Sequence, residues 1–337
     1  SIQLHASTTA LSNIVAIDAS PLLEGLLYVG TDDGLVQVSE DGGKNWRKSE
    51  DFPGVPKWTY VSDVVASPRD SNVVFASFNN WQTGDYKPYI CRSDDRGRTW
   101  KQIAGDLPAK HDVWALAQDE VNGNLMFAGT EFGLFFTVDG GSHWTQLKGN
   151  MPRIQVRDLE IQRREHDVVM ATFGRGFWIL DDYTPLREMT QETLSQEARL
   201  FPLRHAYQFT PWDSVIQAGA AGFADLAGNY TTPNPPIGAV LTYNVGQALA
   251  DDTTLAINIL DATGRQVRRM TVDKAAGLHQ ATWNLSIDPP AAAAAADAAA
   301  GQRAGGAGAG GGAGAGGGPG AAGGQGGKRA GGENVAS

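Results

Sequence analysis

Apolar and polar positions along the first 185 residues come in short alternating runs, with no sustained repeat every three or four residues. The segments NIVAIDASPLLEGLLYVGT, VSDVVASPRDSNVVFASF, VWALAQDEVNGNLMFAGT and VRDLEIQRREHDVVMATF share one layout. In each, an apolar run leads through a turn, rich in Pro, Asp or Asn in most copies, to a second apolar run. That is the signature of paired short strands. The anchors Ile14 and Tyr28, Val61 and Phe75, Val113 and Phe127, and Val156 and Met170 all lie 14 residues apart. A third strand is predicted over Leu35–Val38 and Leu134–Phe136, and a fourth after each following Trp. The only modest helical pattern is LREMTQETLSQEA at 186–198.

The unit recurs after 47, 52 and 43 residues. A period of about 40–50 residues with four strands matches one blade of a β-propeller. The expected fold class is therefore all-β: about four visible propeller blades over 1–185, a linker at 186–198, and a β-sandwich at 199–289. A Gly/Ala-rich segment at 290–337 completes the chain.

Three units carry an octet after the third strand: SEDGGKNW, SDDRGRTW and TVDGGSHW. Ser39, Asp41, Gly43 and Trp46 recur as Ser93, Asp95, Gly97 and Trp100, and as Thr137, Asp139, Gly141 and Trp144. A turn carboxylate can accept several backbone N–H groups, and the hydroxyl adds a local bond. Gly supplies a positive φ, and the Trp is expected to bury about 200 Å² against neighbouring strands. Three aspartates spread round a ring cannot converge on one substrate, so these acids read as architecture. The octet resembles the Asp-box, or BNR, repeat of sialidases, xyloglucanase-like glycoside hydrolases and sortilin/Vps10-type propellers. That resemblance places the octet at the turn between third and fourth strands, away from ligand. It also implies a secreted or periplasmic protein, similar to the C-terminal part of large bacterial sortilin-like or BNR glycosyl hydrolases. Propellers of this kind usually have six or more blades. Further blades are then expected either in a longer parent chain or from another chain, and a start at Ser1 suggests a processed protein or a fragment.

In the second region, IGAVLTYNVG, TTLAINILDATGRQVRRMTV and GLHQATWNL read as strands, and residues 216–238 as a loop. ARLFPLRHAYQF reads as a strand leaving the propeller. Asp261, Gly264, Val267, Arg268, Gly277, His279 and Trp283 resemble the pattern of a FlgD-like immunoglobulin-type sandwich, where they serve as turn and core residues. Of the 42 glycines, 18 fall in 301–337. A segment with so little apolar side-chain area is expected to be disordered, leaving the sandwich without closing strands.

Charge and rare residues remove several function classes. With 27 Lys+Arg against 37 Asp+Glu and no basic cluster, nucleic acid is not an expected partner. The single Cys91 rules out an internal disulfide and reads as a small core residue. The six His lack metal-ligand spacing, so no metal or cofactor is expected. No apolar run reaches the roughly 20 residues of a membrane span. There is no G-x-S-x-G, phosphate loop or nucleotide fingerprint.

Candidate chemistry lies where innermost strands begin and where second strands turn into third. Asp63, Asp112 and Asp158 recur near innermost-strand starts and are the candidate catalytic carboxylates; each could equally cap a turn. A glycosidase needs two such groups roughly 5–9.5 Å apart. The candidate ligand-binding residues are Trp81, Tyr86, Trp114, Glu131, Phe132, Arg157 and Arg175. The facing loops also hold Asp32, Asp33, Asn79 and Asn80. Trp81 and Tyr86 sit on an insertion, NNWQTGDYKP, as stacking platforms for a sugar or apolar peptide, or as inter-blade packing. MPRIQV lacks the Pro of a sialidase Arg-Ile-Pro signature, which argues against that activity. The leading expectation is a propeller that binds an extracellular glycan or polypeptide. Alternatives are a xyloglucanase- or sialidase-like glycoside hydrolase completed by a longer parent chain, and a scaffold of a cell-surface assembly.

Overall fold

A computed structural model describes residues 12–149, 151–208 and 237–288. The expected loop at 216–238, except its last two residues, and the expected disordered tail lie outside the described residues. Blade 1 is an antiparallel meander of β1 (Ile14–Ala19), β2 (Leu27–Thr31), β3 (Val36–Ser39) and β4 (Arg47–Ser49). Blade 2 comprises β5 (Tyr60–Ala66), β6 (Val74–Asn80), β7 (Asp85–Ser93) and β8 (Lys101–Gln102). Blade 3 comprises β9 (Val113–Gln118), β10 (Met126–Thr130), β11 (Gly133–Thr137) and β12 (Thr145–Gln146). Blade 4 has three strands, β13 (Val156–Gln162), β14 (Asp167–Thr172) and β15 (Phe177–Leu180), in keeping with its missing octet. All-β architecture and the blade period both hold.

Each blade presses its innermost strand onto the second strand of the blade before it. Small residues make this possible. A Cβ on Gly30 would lie 2.5 Å from Val61 Cγ1, and one on Gly129 would lie 2.8 Å from the Val156 carbonyl oxygen. Burial follows the same seams: Tyr28, Val61 and Phe78 share one core, Phe75, Val113 and Phe135 a second, and Phe127, Val156 and Tyr183 a third. Cys91 is buried in the first of these cores, as expected, and burial pushes its thiol up to about 12.

The octets form the β3–β4, β7–β8 and β11–β12 corners. In all three, the hydroxyl donates to the carboxylate: Ser39 to Asp41 at 2.9 Å, Ser93 to Asp95 at 2.7 Å, Thr137 to Asp139 at 2.8 Å. The amides three and four residues after the hydroxyl-to-Asp pair close on the same oxygen. Asp95 Oδ1 accepts from Arg98 N at 2.9 Å and Thr99 N at 2.8 Å. Burial pushes the Asp139 carboxyl up, but bonds from His143, Thr137 and Ser142 outweigh it and hold the group at about 2. The tryptophans diverge from expectation. Trp144 is 7% exposed and donates Nε1 to the Ile103 carbonyl of blade 2 at 3.1 Å. Trp100 packs edge-on against Phe52. Trp46 is 42% exposed. Trp100 and Trp144 pack on the blade before their own, and no blade stands before blade 1 to cover Trp46 among the described residues.

The helical expectation at 186–198 shrinks to a 3₁₀ turn, Thr184–Glu188, and one short helix, α1 (Gln191–Leu194). Tertiary bonds override the weak local pattern. Tyr183 and Arg187 both bind Asp119, a fully buried carboxylate in blade 3, at 2.6 and 2.7 Å. Leu186 and Met189 join the third core with Phe201. The strand expected from ARLFPLRHAYQF is limited to β16 (Ala198–Leu200). It pairs with β17 (Ala239–Val245), which pairs with β20 (Gly277–Trp283). A hairpin of β18 (Ala256–Leu260) and β19 (Gln266–Thr271) forms a separate two-stranded sheet. Asp261 accepts the Thr263 and Arg265 amides at its turn, where Gly264 takes φ +82°. His279 stacks on Tyr243 with centroids 5.3 Å apart.

Candidate functional site

A cavity of about 450 Å³ opens among blades 2, 3 and 4. Blade 2 contributes Trp81 and Tyr86 from its insertion. There a 3₁₀ turn, Trp81–Thr83, closes through Gly84 at φ +81°, which donates its N–H to the Trp81 carbonyl at 2.9 Å. Blade 3 contributes Lys110, Asp112, Trp114, Glu131 and Phe132, and blade 4 contributes Gln155, Arg157 and Phe173. Six of the seven expected ligand-binding residues therefore meet here, with one of the three candidate catalytic carboxylates. Arg175 is exposed on the β14–β15 turn and outside the lining; Phe173 holds the place expected of it.

Local geometry fixes the polar groups. The Glu131 amide donates to the Asp112 carbonyl at 3.1 Å, which ties the start of β9 to the β10–β11 turn. Trp114 Nε1 donates to Glu131 Oε2 at 3.2 Å, and Gln155 Nε2 donates to the same oxygen. The Arg157 guanidinium lies 3.9 Å above the Trp114 ring and 5.6 Å from the Phe173 ring, a cation held between aromatic faces. Arg153 lies 5.6 Å over Phe132.

Asp112 is the unusual member. It is 1% exposed, and neither carboxylate oxygen has a hydrogen-bond partner. Burial, with the Glu131 charge adding to it, pushes the carboxyl up to about 7. A buried polar group without a partner costs about 1–3 kcal/mol, so it is kept only where something else offsets the loss. The adjacent His111 is also buried, with Nδ1 unpartnered; burial and Arg153 push it down.

Asp63 and Asp158 do not join Asp112. They line a second cavity of about 290 Å³ bounded by the innermost strands of all four blades, with Asp18, Glu120, Glu160 and Arg163. Asp63 accepts the Leu116 amide of the next blade at 2.8 Å, as Asp18 accepts the Ala66 amide at 2.7 Å. Burial pushes Asp63 up to about 7 against bonds from the Leu116 and Val64 amides, with Asp158 and Asp18 adding to the rise. Asp18 and Asp63 tie neighbouring innermost strands together, while Asp158 accepts the Leu159 amide of its own strand. The separation has a simple origin. Asp112 lies one residue before the anchor Val113, whereas Asp63 and Asp158 lie two residues after Val61 and Val156, past a β-bulge in each strand. Asp32 is taken up by the Asn13 amide at 3.0 Å, and Asp33 by the Ser12 hydroxyl at 2.6 Å. Gln155 and Lys110 were not singled out from the sequence. Gln155 shares the offset of Asp112 from its anchor, and that offset is the signal that finds it.

None of the octet residues lines the 450 Å³ cavity. Among the described residues, no group of three or more His, Cys, Asp or Glu is placed to hold a metal ion. No helix there is long and apolar enough to cross a membrane.

The chain matches no family model. It is similar to a xyloglucanase from Hypocrea jecorina, 28% identical over 144 residues, which is 38% of this chain and 17% of that protein. It is also similar to a vacuolar protein sorting/targeting protein 10 from Laccaria bicolor, 35% identical over 85 residues, 25% of this chain and 5% of that protein. The crystal structure of a xyloglucanase from Xanthomonas campestris aligns over 58% of this chain and 33% of its own, with 18% identity and a TM-score of 0.42. The chain thus spans less than a fifth of the curated relatives given.

Proposed function

We propose that the 450 Å³ cavity binds an extracellular glycan. The observation that carries this reading is the orphaned, buried Asp112 carboxyl inside a ring of Trp81, Tyr86, Trp114, Phe132 and Phe173. Sugar rings present apolar C–H faces that stack on aromatic side chains, and hydroxyls that can bond a buried carboxyl lacking partners. A cavity of this size holds about one or two sugar rings within the usual range of ligand sites. The partial similarity to a xyloglucanase supports the same ligand class.

A hydrolytic reading is favoured by one feature. A carboxyl still protonated near neutral pH is suited to donate a proton to a glycosidic oxygen, and Glu131 supplies a second carboxylate in the same cavity. In this reading Asp112 is the acid, while Asp63 and Asp158 remain structural.

Isothermal titration with neutral β-glucan and xyloglucan oligosaccharides tests binding. Trp81→Ala is expected to weaken it roughly tenfold, about 1.4 kcal/mol. Absence of saturable binding to every sugar at millimolar concentration would end the glycan reading, and saturable binding to a peptide instead would replace it. Turnover of aryl-glycosides lost in Asp112→Asn but retained in Asp158→Asn would establish hydrolysis at Asp112.

The exposed Trp46 of blade 1 and the exposed Phe177 and Ile179 of blade 4 mark the two outward blade faces. We propose that these faces meet further blades, because the equivalent Trp100 and Trp144 are covered by a neighbouring blade. Protection of Trp46 from oxidative footprinting in a longer parent chain, compared with this segment, is the expected result.

A further inference from the structure

Cations gather at the cavity of an otherwise acidic chain: Lys110 and Arg157 share its lining with the carboxylates Asp112 and Glu131, and Arg153 lies beside it. The protein carries 37 acidic and 27 basic residues. Most of its arginines are occupied: Arg96 and Arg98 hold Glu40, Arg187 holds Asp119, Arg199 holds Glu188, and Arg204 holds Asp167. Lys110, Arg153 and Arg157 make no ion pair among the described residues, as is also true of Lys44, Arg69, Lys87 and Arg175, but these three border one site: Lys110 and Arg157 in its lining, Arg153 over the ring of Phe132. Glu131, the nearby carboxylate, is taken up by Trp114 and Gln155.

Arg157 carries the argument furthest. Its guanidinium carbon lies 3.9 Å over the Trp114 ring, and the indole is itself held by Glu131. An arginine held over a ring by its cationic face keeps its N–H donors for other partners, and such a fork takes a carboxylate bidentately. A stacked, pre-oriented fork loses little side-chain freedom when it binds an anion.

We propose that the glycan bound in this cavity is acidic, a polysaccharide bearing uronic-acid residues, with Arg157 holding the uronate carboxylate and Lys110 and Arg153 framing it. The inference rests on the glycan reading above and names its ligand class. The aromatic walls take the ring faces and Asp112 a hydroxyl. The excess negative charge elsewhere on the chain is screened beyond about 8 Å at physiological ionic strength, so the local cations decide the encounter.

The test compares tetragalacturonate and a glucuronic-acid-bearing xylan oligosaccharide with their methyl esters, which keep the rings and remove the charge. Titration calorimetry on the full chain at 50 and 300 mM NaCl is expected to show the acids binding at least roughly tenfold tighter than their esters at low salt, with the preference shrinking at high salt. Arg157→Ala should abolish the preference, and Arg157→Lys, which keeps the charge without the fork, should retain only part of it. Lys110→Gln, an exposed change in the same lining that leaves the Arg157–Trp114 pair in place, should reduce it independently. Equal or tighter binding of the esters overturns the acidic-ligand inference and leaves the glycan reading standing. Binding of a peptide through its free C-terminal carboxylate, with no binding of any sugar, overturns both.

Discussion

Replacing Asp112 with Asn should stabilise the protein, and by more as the pH rises. The carboxyl is 1% exposed, both its oxygens lack partners, and its folded pKa stands near 7 against an ordinary 3.8. The folded state therefore holds this proton more tightly than the unfolded chain does. Stability from this group is fully present below pH 4 and is lost as pH rises to about 7, when the buried charge must form. A difference of about 3 pKa units corresponds to roughly 4 kcal/mol, an upper bound because a charged pocket relaxes and admits water. Asn has nearly the same shape and forfeits no hydrogen bond, since none is made. Between pH 4.5 and 8.5 the stability difference between Asp112→Asn and the parent should widen by up to about 3 kcal/mol, or about 6–12 °C in melting temperature for a domain of this size. Asp63 also titrates near 7 but is present in both proteins and cancels to first order. Differential scanning calorimetry at four pH values across that range provides the measurement. A difference that stays flat with pH, or an Asn variant less stable than the parent at pH 8.5, refutes the account of Asp112 as an unpaired buried acid.

Arg187→Met should cost about 3–5 kcal/mol in urea unfolding, because it strands the fully buried Asp119 charge; the double variant with Asp119→Asn should recover part of that loss. Asp95→Ala removes the acceptor of the Arg98 and Thr99 amides and should cost about 1–3 kcal/mol while leaving ligand affinity unchanged, read from parallel melts and titrations. Gly129→Val places its Cβ against the Val156 carbonyl oxygen and should destabilise by at least about 1–3 kcal/mol, seen as a lower urea midpoint, through separation of blades 3 and 4.

Read from the residues alone, the legible features were local ones. The alternation within each unit specified which strands form, and the fixed anchor spacing specified where blades begin. The octet corners were legible because the bonds of the hydroxyl and the Asp that shape them lie within five residues: Ser93 to Asp95, Asp95 to Thr99. The gathering of Trp81, Trp114, Glu131, Phe132 and Arg157 was legible for a related reason, since repeated units place equivalent strand ends on one side of the array. Depth and company, by contrast, came from the packing of blade on blade. An offset of three residues along an innermost strand, with a bulge between, sends Asp112 into one cavity and Asp63 into another. Trp46 and Trp144 occupy the same place in the repeat, yet one is exposed and the other buried, because burial is set by the neighbouring blade. Arg175 and Phe173 differ by two positions in one turn, and only the packed backbone chooses which of them reaches the cavity. A side chain's conformation follows from its own sequence neighbours, but its environment is supplied by residues some 40 to 50 positions away, and no local pattern records how those approach.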